Sequence, residues 1–480
     1  MIIKNKVMSA IGWSSGTKLI GQLATWVTTI FVMRLLSPED YGLIALAMMF
    51  ITIFGILSDM GMGAVIVHAT EIDDRKLQRI FGFVLFINFI IFVVLYFAAP
   101  IIAYFFTEPR LILMVRLLSL QFLLLAFETI PRALLVREME FKKLSILNLA
   151  SVVAGGFVSL YFAYNGYGAM SLVYAFLFTA SARVIGTNLI NIKFILPIFS
   201  IKEGLGDLKF GSLVSMDKVL LAFQNNSDVF VIGKLLGNEI LGYYSVAMHF
   251  ASLPMQRAMG TINPITMSAF SKVKSSKEEI SYYFLKVVRI SSFFTLPIFL
   301  GISVISPQLI NVVLGSKWSL AILPMQVLCF IMPLRVVANL LPIVLKGIGS
   351  PGISIGNTFF SMSVMVVSFI IAGNWGILGV CMVWLCVYPI IFIVVMMRSK
   401  KVIGVDAFGV SKVMSRPLVC ALMMYAGVWL FRSYFLAKIP GIQILILDIL
   451  IGAAIYIVTS LLIQKETFSE TINLLRKPKG

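Results

Sequence analysis

The sequence predicts an all-α protein that crosses a membrane many times. Three observations predict it. Of the 480 residues, 60% are hydrophobic and 12% carry charge, against about 25% charged in an average soluble domain. Apolar stretches of about 20 residues, long enough to span a hydrocarbon core as a helix, recur from end to end. One phrase also occurs twice: "LLSPEDYGLIALAMMF" (35–50) and "LLGNEILGYYSVAMHF" (235–250) agree at seven of sixteen positions, 200 residues apart.

Taken in order, the apolar stretches give fourteen spanning helices. Their cores are 9–33, 42–67, 80–105, 112–135, 144–164, 168–190, 211–233, 241–266, 283–305, 320–346, 353–373, 377–397, 417–435 and 441–463. The basic opening "MIIKNK" runs straight into the first full-length segment, which is expected to stay as a helix. Lys and Arg mark loops retained in the cytoplasm. Alternate loops from the N-terminus hold Lys4 and Lys6; Arg75, Lys76 and Arg79; Arg137, Lys142 and Lys143; Lys272, Lys274 and Lys277. Further on come Arg398, Lys400, Lys401, Lys412 and Arg416, then Lys465, Arg476, Lys477 and Lys479. The opposite loops carry only Arg34, Arg110, Lys234, Lys317, Arg432 and Lys438. Both termini are therefore expected in the cytoplasm. Much of the net charge of +18 is this topology signal and not a nucleic-acid patch. No connection is long enough to hold a folded soluble domain.

The repeated phrase closes one loop and starts the second span, then does the same before the eighth. A second echo agrees: Asn148 and Asn165 recur 209 residues later as Asn357 and Asn374. Six helices separate the copies, so both halves point the same way. That is a parallel repeat, related by an axis along the membrane normal. The expected architecture is two six-helix bundles in pseudo-twofold relation, 1–200 and 201–402. Residues 403–480 add two helices and a cytoplasmic tail. A cavity between the bundles is the expected substrate site.

Lys18, Arg257, Arg289 and Arg335 lie well inside spans with no acid three or four residues away. Each costs at least about 2.5–3.5 kcal/mol near the bilayer centre unless it reaches water or a partner. Together with Gln22 and Asn339, one turn from Lys18 and Arg335, they are expected to line an anion-binding cavity. Pairing with acids on neighbouring helices is the alternative. Arg116, Arg183 and Lys286 lie near span ends and are expected to reach the interface. Glu128 and Arg132 have the spacing of an ion pair within one helix. Asp217, Gln224 and Asp228 share a helix face. That stripe serves either ion pairing or the binding of a proton or Na⁺. Asp59, in "SDMGMG", sits among small residues that allow close helix approach, where packing, a hydrogen bond or ion coupling are the roles open to it.

Cys329, Cys381, Cys386 and Cys420 read as small apolar residues, and His68 and His249 lack a second ligand, so no metal site is expected. The chain shows no P-loop or HExxH pattern. The expectation is a transporter, not an enzyme, with no cofactor.

Five segments carry a resemblance: "RLLSPEDYGLIALA" (34–47), "SDMGMGAVIV" (58–67), "NNSDVFVIGKLLG" (225–237), "LGYYSVAMHFASLPMQ" (241–256) and "LGSKWSLAILPMQVL" (314–328). They resemble the polysaccharide transporters, the Wzx-type lipid-linked oligosaccharide flippases of the colanic-acid and teichuronic-acid kind. These sit in the multidrug/oligosaccharidyl-lipid/polysaccharide (MOP) exporter superfamily. Met248-His249 departs from that pattern, where a bulky basic residue is usual. The resemblance implies movement of undecaprenyl-diphosphate-linked sugar units from the cytoplasmic to the periplasmic leaflet of a bacterial inner membrane. It implies alternating access between the bundles, with Na⁺ or H⁺ coupling open. Its partners would be the lipid-linked oligosaccharide, membrane lipid, a polysaccharide polymerase and chain-length proteins. The rivals are a drug or metabolite antiporter or a lipid II flippase of the same superfamily, and a membrane-embedded glycosyltransferase or polymerase. The excess of membrane-embedded cations argues against the antiporter, and the short loops argue against the enzymes.

Overall fold

Capping chemistry sets where helices begin. In "SPED", the Asp40 amide donates to Ser37 Oγ at 3.2 Å and the Ser37 amide donates to Asp40 Oδ2 at 3.0 Å. This reciprocal cap satisfies two orphan donors at the helix start. Asp73 and Ser276 cap later helices by accepting from Lys76 N and Glu279 N. A computed structural model describes residues 2–59, 62–69, 73–191, 195–199, 205–272, 276–435 and 441–476. Among the described residues there are helices and no strands.

Among the described residues, eleven helical segments are long and apolar enough to cross a membrane. The helices Ile2–Leu35, Leu205–Leu235 and Gly237–Lys272 are also long, at 34, 31 and 36 residues. Within the expected span 42–67 the structure describes a helix up to Asp59 and a helix from Met62. The stretch 377–397 carries a wide π-helical turn, Val383–Val387, that includes the buried Trp384.

The chain divides into two compact units, Met1–Gly242 and Tyr243–Gly480. The first holds α1 (Ile2–Leu35), α2 (Pro38–Asp59), α3 (Met62–His68), α4 (Asp74–Phe106), α5 (Arg110–Arg137), α6 (Phe141–Tyr164), α7 (Met170–Ile190) and α8 (Leu205–Leu235). The start of α9 (Gly237–Lys272) also belongs to it. Helix α5 is central. It buries Leu111, Met114, Leu118, Phe122, Ala126, Ile130 and Ala133 at helical spacing, and packs on α4, α7, α3 and α2. Helices α1, α6 and α7 form a second layer, and α8 lies on α2.

The second unit holds the rest of α9 with α10 (Lys277–Gln308), α11 (Ile322–Gly347), α12 (Pro351–Gly373), α13 (Gly376–Met382), α14 (Tyr388–Ile403), α15 (Ala407–Phe435), α16 (Gly441–Ile463) and α17 (Lys465–Arg476). Here α10 is central, against α11, α15 and α16. Phe293, Leu296 and Leu300 of α10 pack on Cys420, Ala421 and Met424 of α15 and on Tyr456 of α16.

Candidate functional site

The expected cavity cations occupy different settings. Lys18 is exposed on α1 beside the half-buried Gln22, and Arg289 is exposed on α10. The side chains of Arg257, Asp217 and Asp59 lie outside the described residues. Arg335 is buried. Its guanidinium stands 4.0 Å from the centroid of the Trp384 ring and reaches the sulfurs of Met248 at 3.6 Å and Met332 at 3.9 Å. Such a cation over an indole face is attracted by the ring quadrupole. The indole is held in turn, because Trp384 Nε1 donates to Tyr244 Oη at 2.9 Å. Asn339, on the same helix, approaches Met255 Sδ at 3.7 Å. The second unit thus surrounds Arg335 and Asn339 with soft sulfur and aromatic groups. Gln224 and Asp228 of α8 are both buried, and Asp228 Oδ1 accepts from the Val229 amide at 2.8 Å.

In the first unit, Glu128 and Arg132 meet as their spacing predicts, Oε1 to Nη1 at 3.4 Å. Arg183, expected at the interface, comes to the same carboxylate from α7, Nε to Oε2 at 3.9 Å. Glu128 is 3% exposed. Two cavities are lined by members of this cluster. One, of about 430 Å³, is lined by Ser58, Glu128, Thr129 and Arg132. The other, of about 380 Å³, is lined by Arg183, Thr25, Thr28, Thr29, Ser159 and Thr179. A sequence signal for Arg183 existed: Thr179, Arg183 and Thr187 recur every four residues and make a polar face.

A third cluster gathers where α2, α5 and α9 begin. Arg110 pairs with Glu39, and its Nε meets Glu108 Oε1 at 2.8 Å. Asn238 Nδ2 donates to Glu108 Oε2 at 2.8 Å. The Arg110 and Asn238 donors hold the Glu108 carboxyl below its ordinary range. Two of these residues belong to the repeated phrase. Its glycines also interlock: a Cβ on Gly42 would strike the backbone of Asn238, and one on Gly242 would strike the backbone of Pro38. Gly42 and Gly242 hold the same place in the two copies, as do Pro38 and Asn238, so the two copies touch reciprocally.

Sequence reasoning missed a buried pair in the second unit. Arg432, read as a loop cation, lies inside α15 at 7% exposure, with Asp448 of α16 at 1%. Arg432 Nε is 3.3 Å from Asp448 Oδ2, and its Nη1 also donates to the Val304 carbonyl of α10. The lone Asp in the apolar stretch 441–463 was the signal. Lys286 is tied to Glu470 of α17 at 2.6 Å.

The fold is similar to that of a solved structure, lipid II flippase MurJ in an inward closed conformation, with a TM-score of 0.75 at 16% identity, covering 95% of this chain and all of that one. In sequence, the chain is 25% identical to lipopolysaccharide biosynthesis protein WzxC of Escherichia coli over 81% of its length and 79% of the relative's. It is 24% identical to the succinoglycan biosynthesis transport protein ExoT of Rhizobium meliloti over 98% and 95%. The family described as polysaccharide biosynthesis protein matches residues 31–323, well over half of the chain. Apolar helices throughout, buried charge clusters between them and this match make the chain a multi-pass membrane member of the polysaccharide biosynthesis protein family.

Proposed function

We propose that the chain flips lipid-linked oligosaccharide units, carried on undecaprenyl diphosphate, from the cytoplasmic to the outer leaflet of a bacterial inner membrane for surface polysaccharide synthesis. The observation that carries this reading is the near-full-length likeness to proteins named for exopolysaccharide and lipopolysaccharide biosynthesis, one of them for transport. Physical chemistry supports it. Each sugar hydroxyl taken into hydrocarbon without a partner costs a few kcal/mol. A polar path through the protein removes that barrier while the lipid tail stays in the membrane.

In this reading α1, α8 and α9 complete fourteen spans, with both termini cytoplasmic. The bundles 1–200 and 201–402 alternate access about their repeat axis, and 403–480 is appended. Lys18, Arg257, Arg289 and Arg335, with Gln22 and Asn339, serve the anionic head group. Asp217, Gln224, Asp228 and Asp59 serve ion pairing or Na⁺ or H⁺ coupling. A polymerase and chain-length proteins receive the product.

Reconstitution tests the activity directly. In liposomes holding the purified chain, a labelled undecaprenyl-diphosphate oligosaccharide becomes accessible to an added glycosidase in both leaflets, and stays half-accessible without protein. Equal accessibility with and without the chain sinks the reading. In cells, single alanine replacements of the four cations abolish surface polymer while the protein remains in the membrane. Normal polymer from all four removes them from the site.

A further inference from the structure

Two buried atoms that face each other at this cluster lack a hydrogen-bond partner in the protein: Glu128 Oε2 and Arg183 Nε. Buried polar groups are nearly always satisfied, so two at one place need an explanation. The separation of 3.9 Å between Glu128 and Arg183 is too long for a hydrogen bond. Arg132 holds the other oxygen only at 3.4 Å, and half of its side chain is open to the cavity. Two guanidinium groups thus face one carboxylate that neither closes on, leaving an excess positive charge beside a buried carboxylate. Planar guanidinium forks match phosphate oxygens better than they match a shared, stretched carboxylate.

The surroundings suit a sugar phosphate. In the cavity beside Arg183, Thr25, Thr28 and Thr179 each donate a hydroxyl proton back to a helix carbonyl, at 2.7, 2.8 and 2.8 Å. Their oxygens therefore remain as acceptors toward the cavity. Gly155 and Gly156 keep that wall low: side chains there would meet Thr179 and Thr28. A cavity near 380 Å³ holds far more than the single water that about 10–15 Å³ admits.

We propose that Arg132 and Arg183 form a phosphate-binding fork within the first unit, with Glu128 as its resting counter-ion and the threonine-lined cavity as the berth of the first sugar. This rests on the reading of the chain as a carrier of diphosphate-linked sugars. An arriving diphosphate displaces Glu128 from the two arginines. The displaced carboxylate then repels the anion, which keeps the affinity modest enough for release.

The test uses the full chain in phosphatidylcholine nanodiscs, titrated with inorganic diphosphate by calorimetry. The wild type binds. Arg132→Gln and Arg183→Gln each weaken binding about tenfold, and Glu128→Gln tightens it about tenfold. Ser159→Leu leaves inorganic diphosphate binding unchanged but weakens binding of an undecaprenyl-diphosphate oligosaccharide at least fivefold. Should a glutamine variant unfold, Arg132→Lys and Arg183→Lys keep the charge, lose the fork and still weaken binding. Equal affinity across the arginine variants, no gain in Glu128→Gln, or no binding by the wild type overturns the fork. An unchanged Ser159→Leu overturns the sugar berth. Transport of the lipid-linked sugar by the wild type with unchanged arginine variants sinks the fork and spares the carrier function. A working fork without such transport sinks the carrier function instead.

Discussion

One methyl group decides how closely α2 and α9 approach. Gly42→Ala and Gly242→Ala each place a Cβ into backbone, which cannot swing aside as a side chain can. Overpacking of this kind costs about 1–3 kcal/mol. Each variant is expected to unfold at lower temperature in detergent, and unchanged melting of both removes the argument. Glu108 adds a pH dependence. Its carboxyl titrates below the ordinary 4.5 because the Arg110 and Asn238 donors favour the charged form. The sign follows: the stabilisation is complete above that ordinary value and is lost as pH falls through the lower folded one. Glu108→Gln is expected to flatten the acid limb of melting temperature against pH. At this scale the sequence was partly readable. The repeated phrase that holds Gly42 and Gly242 stood out, and Glu128–Arg132 followed from spacing. The partners of Gly42, Glu108 and Arg183 did not, because they depend on which helices become neighbours.

Helix positions were readable because lipid leaves the backbone no solvent partner, so each span must be a complete helix with apolar sides. What hydropathy does not encode is a helix's rotation and neighbour. That is why Arg432 was read as a loop residue although α15 carries it to within 3.3 Å of Asp448 on α16. A buried pair broken on one side leaves an uncompensated charge, at a cost of about 3–5 kcal/mol. Asp448→Ala is therefore expected to destabilise strongly, freeing α16 from α15. The double replacement Arg432→Leu with Asp448→Leu is expected to recover much of the loss. A double as unstable as the single would show that the pair is not what holds these helices.

For the whole molecule, the class, the repeat and the family were all present in the sequence. The arrangement of charge was not, since Lys18, Arg289 and Arg335, with similar surroundings in sequence, lie in settings from exposed to stacked on an indole. In the proposed function, about two negative charges move outward across a membrane negative inside, downhill by roughly 4–5 kcal/mol per 100 mV. Collapsing the potential with valinomycin and K⁺ is expected to slow export in vesicles, and an unaffected rate would remove the field as a driving force. The interlocked glycines carry a last consequence, for ancestry. After a duplication one copy is ordinarily free to drift while the other keeps the task. Here each copy presses its main chain into the other's notch, so a substitution in either is felt at once by its twin. Selection must judge the two as a couple, which is reason enough for a chain to go on repeating itself.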